Sequence, residues 1–418
     1  MKRLFACTLA LCAALSHQLQ AQRSELRLEK GWRFTRQDQA SFSTPDHNDS
    51  KWSRVTVPHD WAIYGPFSFE NDKQHLAIAQ DGQKEAMEHA GRTGGLPFVG
   101  AGWYRRSLDI PQDLGDRRVF LRFDGAMSHA RVYVNGKEVG YWPYGYNTFA
   151  FDVTPYVRPG ASNTLAVRLE NKHESSRWYP GAGLYRNVHL TITSPTYIPL
   201  WGTRIQTPSV SADQAYVSVE TKVAGLSHLA GRPLRIETKI LSPEGKVVAE
   251  RSESFSSKGA DSIYRTGFDI SAPKLWDINQ PNLYKYAVTL SDGSRVIDRD
   301  TTTFGIRSIE LKAGEGFFLN GRKLKFQGAC LHHDLGPLGA AVNEAAMRRQ
   351  IRLMQDMGVN AIRTSHNMPA PEFVRLCDEM GMLLMAESFD SWAQPKVPNG
   401  YNLDFNEWHE RDLTNLLH

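Results

Sequence analysis

The chain is poor in cysteine, in charge of one sign and in long apolar runs, and each scarcity removes a class of protein. Four cysteines in 418 residues do not make a disulfide framework. Cys7 and Cys12 lie in a leader-like N-terminus, which leaves Cys330 and Cys377, expected as buried free thiols. No His/Cys cluster has zinc-ligand spacing. The 49 Lys+Arg against 45 Asp+Glu give a formal net charge of +4, too balanced for nucleic acid or an anionic membrane as the main partner. The apolar run from Leu4 to Leu15 is too short to span a bilayer, and no later segment reaches spanning length. At 41% hydrophobic and 22% charged, the composition is that of ordinary globular material.

What is present starts with a leader pattern. Met1-Lys2-Arg3 precedes the apolar run, and Ala21 supplies a small residue for cleavage. This reads as a signal peptide over 1–21 and predicts a secreted or periplasmic protein. Cys12, after Leu9-Ala10-Leu11, fits a lipid anchor less well, because Leu11 is too large and the apolar run continues past the cysteine.

Residues 22–195 read as short strands. Arg118–Phe123 is RVFLRF, and Ala130–Val139 places two alternating runs around Asn135-Gly136. Such a pair marks a tight hairpin, because both turn positions need positive φ. Strands at this spacing without helices predict an all-β jelly roll. The polar, then Gly-rich stretch from Glu70 to Gly100 reads as a long surface loop. Pro195 and Pro199 mark a boundary. Residues 196–304 predict about seven strands, an immunoglobulin-like β-sandwich without a cysteine pair and with the character of a spacer.

After Phe304 the period changes. A hairpin at Asn320-Gly321 leads into Lys325–Cys330. A helix follows over Glu344–Met357, a strand over Asn360–His366, a helix from Pro371, a strand over Met382–Phe389, and a helical pattern from Phe405. This alternation is the start of a parallel βα fold. In a βα barrel, ligands bind at the C-terminal strand ends. That rule selects His332, His333 and Asp334, then Arg363, Ser365, His366 and Asn367, then Glu387 and Asp390 with Trp392 beside them. Polar groups with an indole nearby suit a sugar. A metal site at His332–Asp334 is disfavoured, because consecutive strand residues face alternate sides.

Several stretches together resemble glycoside hydrolase family 2. They are Pro58-His-Asp-Trp61, Gly181-Ala-Gly-Leu-Tyr-Arg-Asn-Val188, Phe304-Gly-Ile-Arg307, Leu353–Arg363, Arg363-Thr-Ser-His-Asn-Met-Pro369 and Leu376-Cys-Asp-Glu-Met-Gly381. The resemblance implies a sugar-binding jelly roll, an immunoglobulin-like module and, over 305–418, the first three βα units of an incomplete TIM (β/α)8 barrel. It implies a carbohydrate substrate, retaining hydrolysis of a β-glycoside, and no cofactor beyond a cation in the complete enzyme. Asn367-Met368-Pro369, where the family tends to write Tyr-Pro after Ser-His, is similar to a β-galactosidase-like branch; β-glucuronidase is the alternative. By motif, His366 would contact sugar hydroxyls and Arg363 would orient the nucleophile. Glu387 and Asp390 are further binding candidates. Asn171, in Leu169-Glu-Asn171, falls where the jelly roll of some members reaches the active site.

One departure shapes the expectation. The family carries its acid/base in an Asn-Glu pair on a fourth strand and its nucleophile on a later one. Asn343-Glu344 and Asn406-Glu407 read as helix starts and caps, and Glu387 and Asp390 share one strand end. Three units fall short of the eight in a closed barrel. They leave strand edges unpaired and a sheet face uncovered, and no stop signal follows the last helix. The expectation is a truncated chain that carries no catalytic glutamate and is inactive by itself. The rival readings are a non-catalytic carbohydrate-binding protein and a plain interaction module. The sequence leaves the oligomeric state open.

Overall fold

The structure is a computed structural model that describes residues 23–68, 71, 74–76, 87–89 and 98–418. The signal-peptide reading of 1–21 lies outside these residues, as does most of the stretch read as a long loop. Within that stretch, Gln74–Leu76 and Met87–His89 pair as a short antiparallel ladder. The chain forms two compact units. Of the described residues, one comprises those through Glu25, Asp116–Arg118 and Thr191–Lys325; the other comprises those of Leu26–Gly115, Val119–Leu190 and Phe326–His418. No helix among the described residues is long and apolar enough to cross a membrane.

The jelly roll is two antiparallel-strand layers. Its six-stranded sheet runs Ser53–Val55, Trp32–Thr35, Gly100–Asp109, Ser162–Asn171, Ala130–Val134, Lys137–Trp142 in spatial order. A four-stranded sheet is built from Ser24–Arg27, Val188–Thr193, Arg118–Phe123 and Phe149–Asp152. Alternation decides which side faces in: Leu165, Val167 and Leu169 are wholly buried, as are Leu121, Phe123, Val132 and Val134. Asn135 and Gly136 turn the hairpin with φ of 52° and 80°, as the sequence pattern predicts.

The sandwich has seven long strands in two sheets. Thr203–Val210, Gln214–Val223 and Ser262–Ser271 form one; Val247–Ser256, Pro233–Leu241, Tyr284–Asp292 and Arg295–Phe304 form the other. Its core is almost purely apolar, with Val217, Val219, Ile236, Ile240, Phe268 and Tyr286 at its centre. A three-stranded hairpin sheet over 309–323 follows, turning at Asn320-Gly321.

The last segment contains three parallel strands, Gly328–Leu331, Ala361–Thr364 and Leu383–Met385, in an open sheet. Among the described residues there is no closed barrel. Helices Glu344–Asp356 and Pro371–Met380 bury Met347, Ile351, Phe373, Leu376 and Cys377 with Ile362. Asn343 caps the first through its side chain, accepting from Ala346 N at 3.0 Å. Gly381 ends the second in the left-handed conformation.

Two expectations need correction here. Asn406-Glu407 does not start a helix, because the third helix already begins at Asn402 and runs to Leu417. That helix is also covered: Leu413 and Leu416 pack with Tyr144 of the jelly roll, and Trp408 meets Trp142 edge-on at 5.2 Å. Cys330 is exposed, since it lies on the open face of the parallel strands, whereas Cys377 is buried.

Candidate active site

The three parallel strands end at the same side, so the residues after them converge. Arg363 lies in the second strand, in register with Cys330 of the first and Met385 of the third. Parallel register partners point to the same face. Arg363 Nη2 reaches Glu387 Oε2 at 2.6 Å, and Nη1 donates to Cys330 Sγ at 3.4 Å. His366 Nδ1 lies 3.1 Å from both Glu387 oxygens and 3.2 Å from Arg363 Nη2. Arginine only donates, so the carboxylate is the shared acceptor of both side chains. With Nδ1–H given to Glu387, the other ring nitrogen, Nε2, is the atom left for a hydroxyl. Thr364 Oγ1 accepts Glu387 N at 3.0 Å, which ties the third strand end to the second.

The jelly roll completes the wall. Trp178 stacks on His332, with ring centroids 5.4 Å apart and planes 19° apart, and lies 5.6 Å from the His366 ring. Its indole N–H donates to Tyr146 Oη at 3.1 Å. His332 Nδ1–H donates to Ser365 O at 2.7 Å, while His333 Nε2–H donates to Pro180 O at 3.0 Å. Burial pushes His333 down to about 3, so it is neutral.

Asp390 sits between cations. Arg177 grips it bidentately at 2.6 and 3.0 Å, and Lys396 Nζ donates at 2.9 Å. Burial raises its pKa, but the hydrogen bonds from Arg177 and Lys396 outweigh that, and the carboxyl lies below its ordinary value. Asp390, Ser391, His366, Trp178, Tyr144 and Tyr401 line a cavity of about 70 Å³.

The structure therefore brings together Arg363, His366 and Glu387, with Asp390 on the wall of the same cavity. It does not bring Asn171 to them. Asn171 is 1% exposed, and its amide donates to Gly181 O at 2.8 Å while Oδ1 accepts from Ser175 at 3.3 Å. That side chain braces the loop carrying Arg177 and Trp178 instead of facing a ligand. Neither Arg177 nor Trp178 stood out in the sequence. They lie in an aperiodic loop, and their partners are more than 150 residues away.

Two of the family-like motifs tie the jelly roll to segments that follow the parallel strands. Asp60, of Pro58–Trp61, accepts from Ala62 N, Ala182 N and Ala340 N at 2.9–3.0 Å and from Tyr179 Oη at 2.5 Å. Arg186, of Gly181–Val188, donates to Tyr146 O at 2.7 Å and Met368 O at 2.8 Å. Asn187 donates to buried Glu372 of the second helix.

Three models of one family cover this architecture in order. Residues 26–194 match the sugar binding domain of the glycosyl hydrolases family 2, 198–307 its middle module and 309–408 its TIM barrel domain. The chain belongs to glycoside hydrolase family 2. A β-galactosidase of Bacteroides ovatus is 38% identical over 411 residues, which cover 98% of this family 2 chain and 46% of that protein. A putative β-glucuronidase of Formosa agariphila is 36% identical over 410 residues, covering 98% and 37%. The crystal structure of a family 2 member from Bacteroides cellulosilyticus superposes with a TM-score of 0.87 at 32% identity, covering 94% of this chain and 49% of that one. The chain thus spans about half or less of the length of these relatives.

Proposed function

We propose that this chain is the sugar-recognising part of a retaining β-glycosidase that acts on β-galactosides. The observation that carries the reading is the Arg363–Glu387–His366 group at converging strand ends, walled by Trp178. It offers hydroxyl-binding edges beside aromatic rings, as a saccharide requires. A galactoside is favoured over a glucuronide on physical grounds. Arg363, Arg177 and Lys396 are already engaged by Glu387 and Asp390, so a uronate carboxylate would compete with those carboxylates for these three cations. The 38% identity to a β-galactosidase supports the same choice. The β-glucuronidase alternative draws on the 36% identity to a putative β-glucuronidase.

Retaining hydrolysis needs two carboxyl groups about 5–5.5 Å apart, one as nucleophile and one as acid/base. Here Glu387 is shared by Arg363 and His366, and Asp390 by Arg177 and Lys396. The two come from one strand end, three residues apart, whereas the reaction needs its carboxyl groups on opposite sides of the scissile bond. We therefore take Arg363, His366, Glu387 and Asp390 as binding and positioning groups, and the chain by itself as inactive. Residues 1–21 act as an export signal in this reading; 22–195 and 305–418 make the site, and 196–304 is a spacer.

The test is calorimetric and kinetic. The purified chain is expected to bind galactose saturably, to bind glucuronate more weakly, and to leave a chromogenic β-galactoside intact. Turnover that co-purifies with the chain and disappears in Glu387→Gln would overturn the inactive assignment. Stronger binding of glucuronate than of galactose would overturn the specificity. Saturable galactose binding by residues 22–195 alone would favour a carbohydrate-binding module instead.

A further inference from the structure

The outer strand of the six-stranded jelly-roll sheet carries a charge arrangement that the fold does not require. Ser53–Val55 pairs with Trp32–Thr35 so that Arg54 stands directly opposite Arg33. Arg33 in turn stands opposite Arg105 of the next strand. Antiparallel register partners share a face, and like charges placed so are destabilising. Arg105 is provided for. It is 2% exposed, its Nε lies 3.0 Å from Asp49 Oδ2, and it donates to Thr44 O at 2.9 Å and His47 O at 3.3 Å. The other two are not. Arg33 donates to Trp52 O at 3.5 Å, and among the described residues neither Arg33 nor Arg54 has a carboxylate partner. Both guanidiniums stay protonated at any pH at which the chain is folded, so the repulsion is permanent in the free protein.

Both arginines line one cleft of about 810 Å³, a size that fits a small-ligand site, together with Trp32, Thr56, His59 and Tyr64. Tyr64 is 74% exposed, yet it is backed. Its ring stacks on His59 at 6.0 Å with planes 21° apart, and His59 Nδ1 lies 2.7 Å from Tyr104 Oη. Burial pushes His59 down to about 4, so its ring is neutral and the charge of the cleft is that of the two arginines. None of these residues lines the cavity that holds His366 and Asp390.

Two guanidiniums side by side call for an oxyanion, and the backed ring beside them calls for a flat apolar face. A carboxylate has two oxygens in one plane and is satisfied by a single guanidinium fork. A sulfate ester presents three terminal oxygens and can accept from two forks at once. A pyranose that carries it can lay its C–H face on Tyr64.

We propose that this cleft is a second saccharide site, on the edge of the jelly roll, that takes a sulfated sugar chain: the ester lies between Arg33 and Arg54 and a ring lies on Tyr64. The proposal does not depend on the reading of the strand-end group, since the two cavities share no lining residue.

The experiment is calorimetry on the full chain with a sulfated galactan tetrasaccharide, the same tetrasaccharide desulfated, a polygalacturonate tetrasaccharide and inorganic sulfate. Wild type is expected to bind the sulfated chain saturably and the desulfated one about tenfold more weakly. Arg33→Ser and Arg54→Ser are each expected to weaken the sulfated chain about tenfold. Tyr64→Ala should weaken it similarly while leaving inorganic sulfate unaffected. Arg265→Ser, which removes an arginine of the sandwich engaged by Glu220 at 2.8 Å, should change nothing; a loss there equal to that in Arg54→Ser marks general charge attraction and overturns the site. So does equal binding of the desulfated chain. Tighter binding of polygalacturonate overturns the choice of sulfate, and inorganic sulfate bound as tightly as the tetrasaccharide overturns the saccharide. In the free chain Arg54→Ser should cost no stability in urea, because it removes a repulsion. A clear loss assigns the arginine to the fold and overturns the proposal, as does a wild type that binds none of the four probes.

Discussion

The sandwich of residues 203–304 and the unit that joins jelly roll to barrel strands are stabilised differently. The sandwich packs Val217, Ile236, Ile240, Phe268 and Val288 with few polar groups inside. One of the few, the Thr221–Tyr286 hydroxyl pair at 3.0 Å, is self-contained. The other unit buries Asp60, Arg186, Glu372, Asn147 and Asp412 along the seam between its layers. Apolar contacts tolerate small slips, whereas a buried donor or acceptor is satisfied in one arrangement only. The difference separates a unit held by apolar packing from one held by a polar seam, and that seam holds Trp178 and Arg177 against the strand ends that carry His366 and Asp390.

The sharpest way to break that comparison is Asp60→Ala. It orphans three backbone N–H groups and the Tyr179 hydroxyl at once. At roughly 1–3 kcal/mol per stranded buried group, a loss of about 4 kcal/mol or more is expected. Urea denaturation followed by tryptophan fluorescence would measure it. Asp60→Asn should cost less, and equal costs would remove the seam's claim to depend on an acceptor at this position.

Ile236→Ala tests the sandwich in its own terms. Removing a fully buried aliphatic side chain should cost about 3 kcal/mol through lost burial and the cavity left behind. Replacing both members of the Thr221–Tyr286 pair by Val and Phe should be close to neutral, because neither partner is then stranded. A large loss in that double variant would contradict the view that the sandwich relies on apolar packing.

A pH dependence is expected from Asp412. Its carboxylate accepts from Trp142 at 2.9 Å, from Asn147 at 2.6 Å and from Tyr401. Burial pushes it up to about 6, against the hydrogen bonds that lower it. The unfolded chain would ionise near 3.9. Below pH 4 both states hold the proton. As pH rises from 4 to 6 the unfolded state ionises first, so stability falls by on the order of 3 kcal/mol and then levels off. Asp412→Asn should flatten that slope in a series of denaturation curves. An unchanged slope would assign it to another group.

Much of the fold was legible from local pattern. Asn135-Gly136 and Asn320-Gly321 turn hairpins because both positions of such a turn need positive φ, which these residues adopt at low cost. Asn343 caps a helix because its side chain reaches the free N–H of Ala346. Arg363, His366 and Glu387 could be grouped because parallel strands put their C-terminal ends on one side, a rule of topology. Asn171 misled, since a polar residue at a strand end looks the same whether it faces a ligand or a neighbouring loop. Cys330 misled for a related reason: strand alternation does not say which face stays open.

The amino-acid sequence by itself determined the order of modules, the hairpin turns, the helix caps and the convergence of the barrel strand ends, because each depends on residues close in the chain. Only the tertiary structure decided that Trp178 and Arg177 belong to the site, that Asp60 and Arg186 tie two layers together, and that the third helix rests on the jelly roll. Those are meetings between segments 40 to 280 residues apart, and no local preference encodes them. They come from the shared burial of groups that must be hydrogen-bonded where they meet.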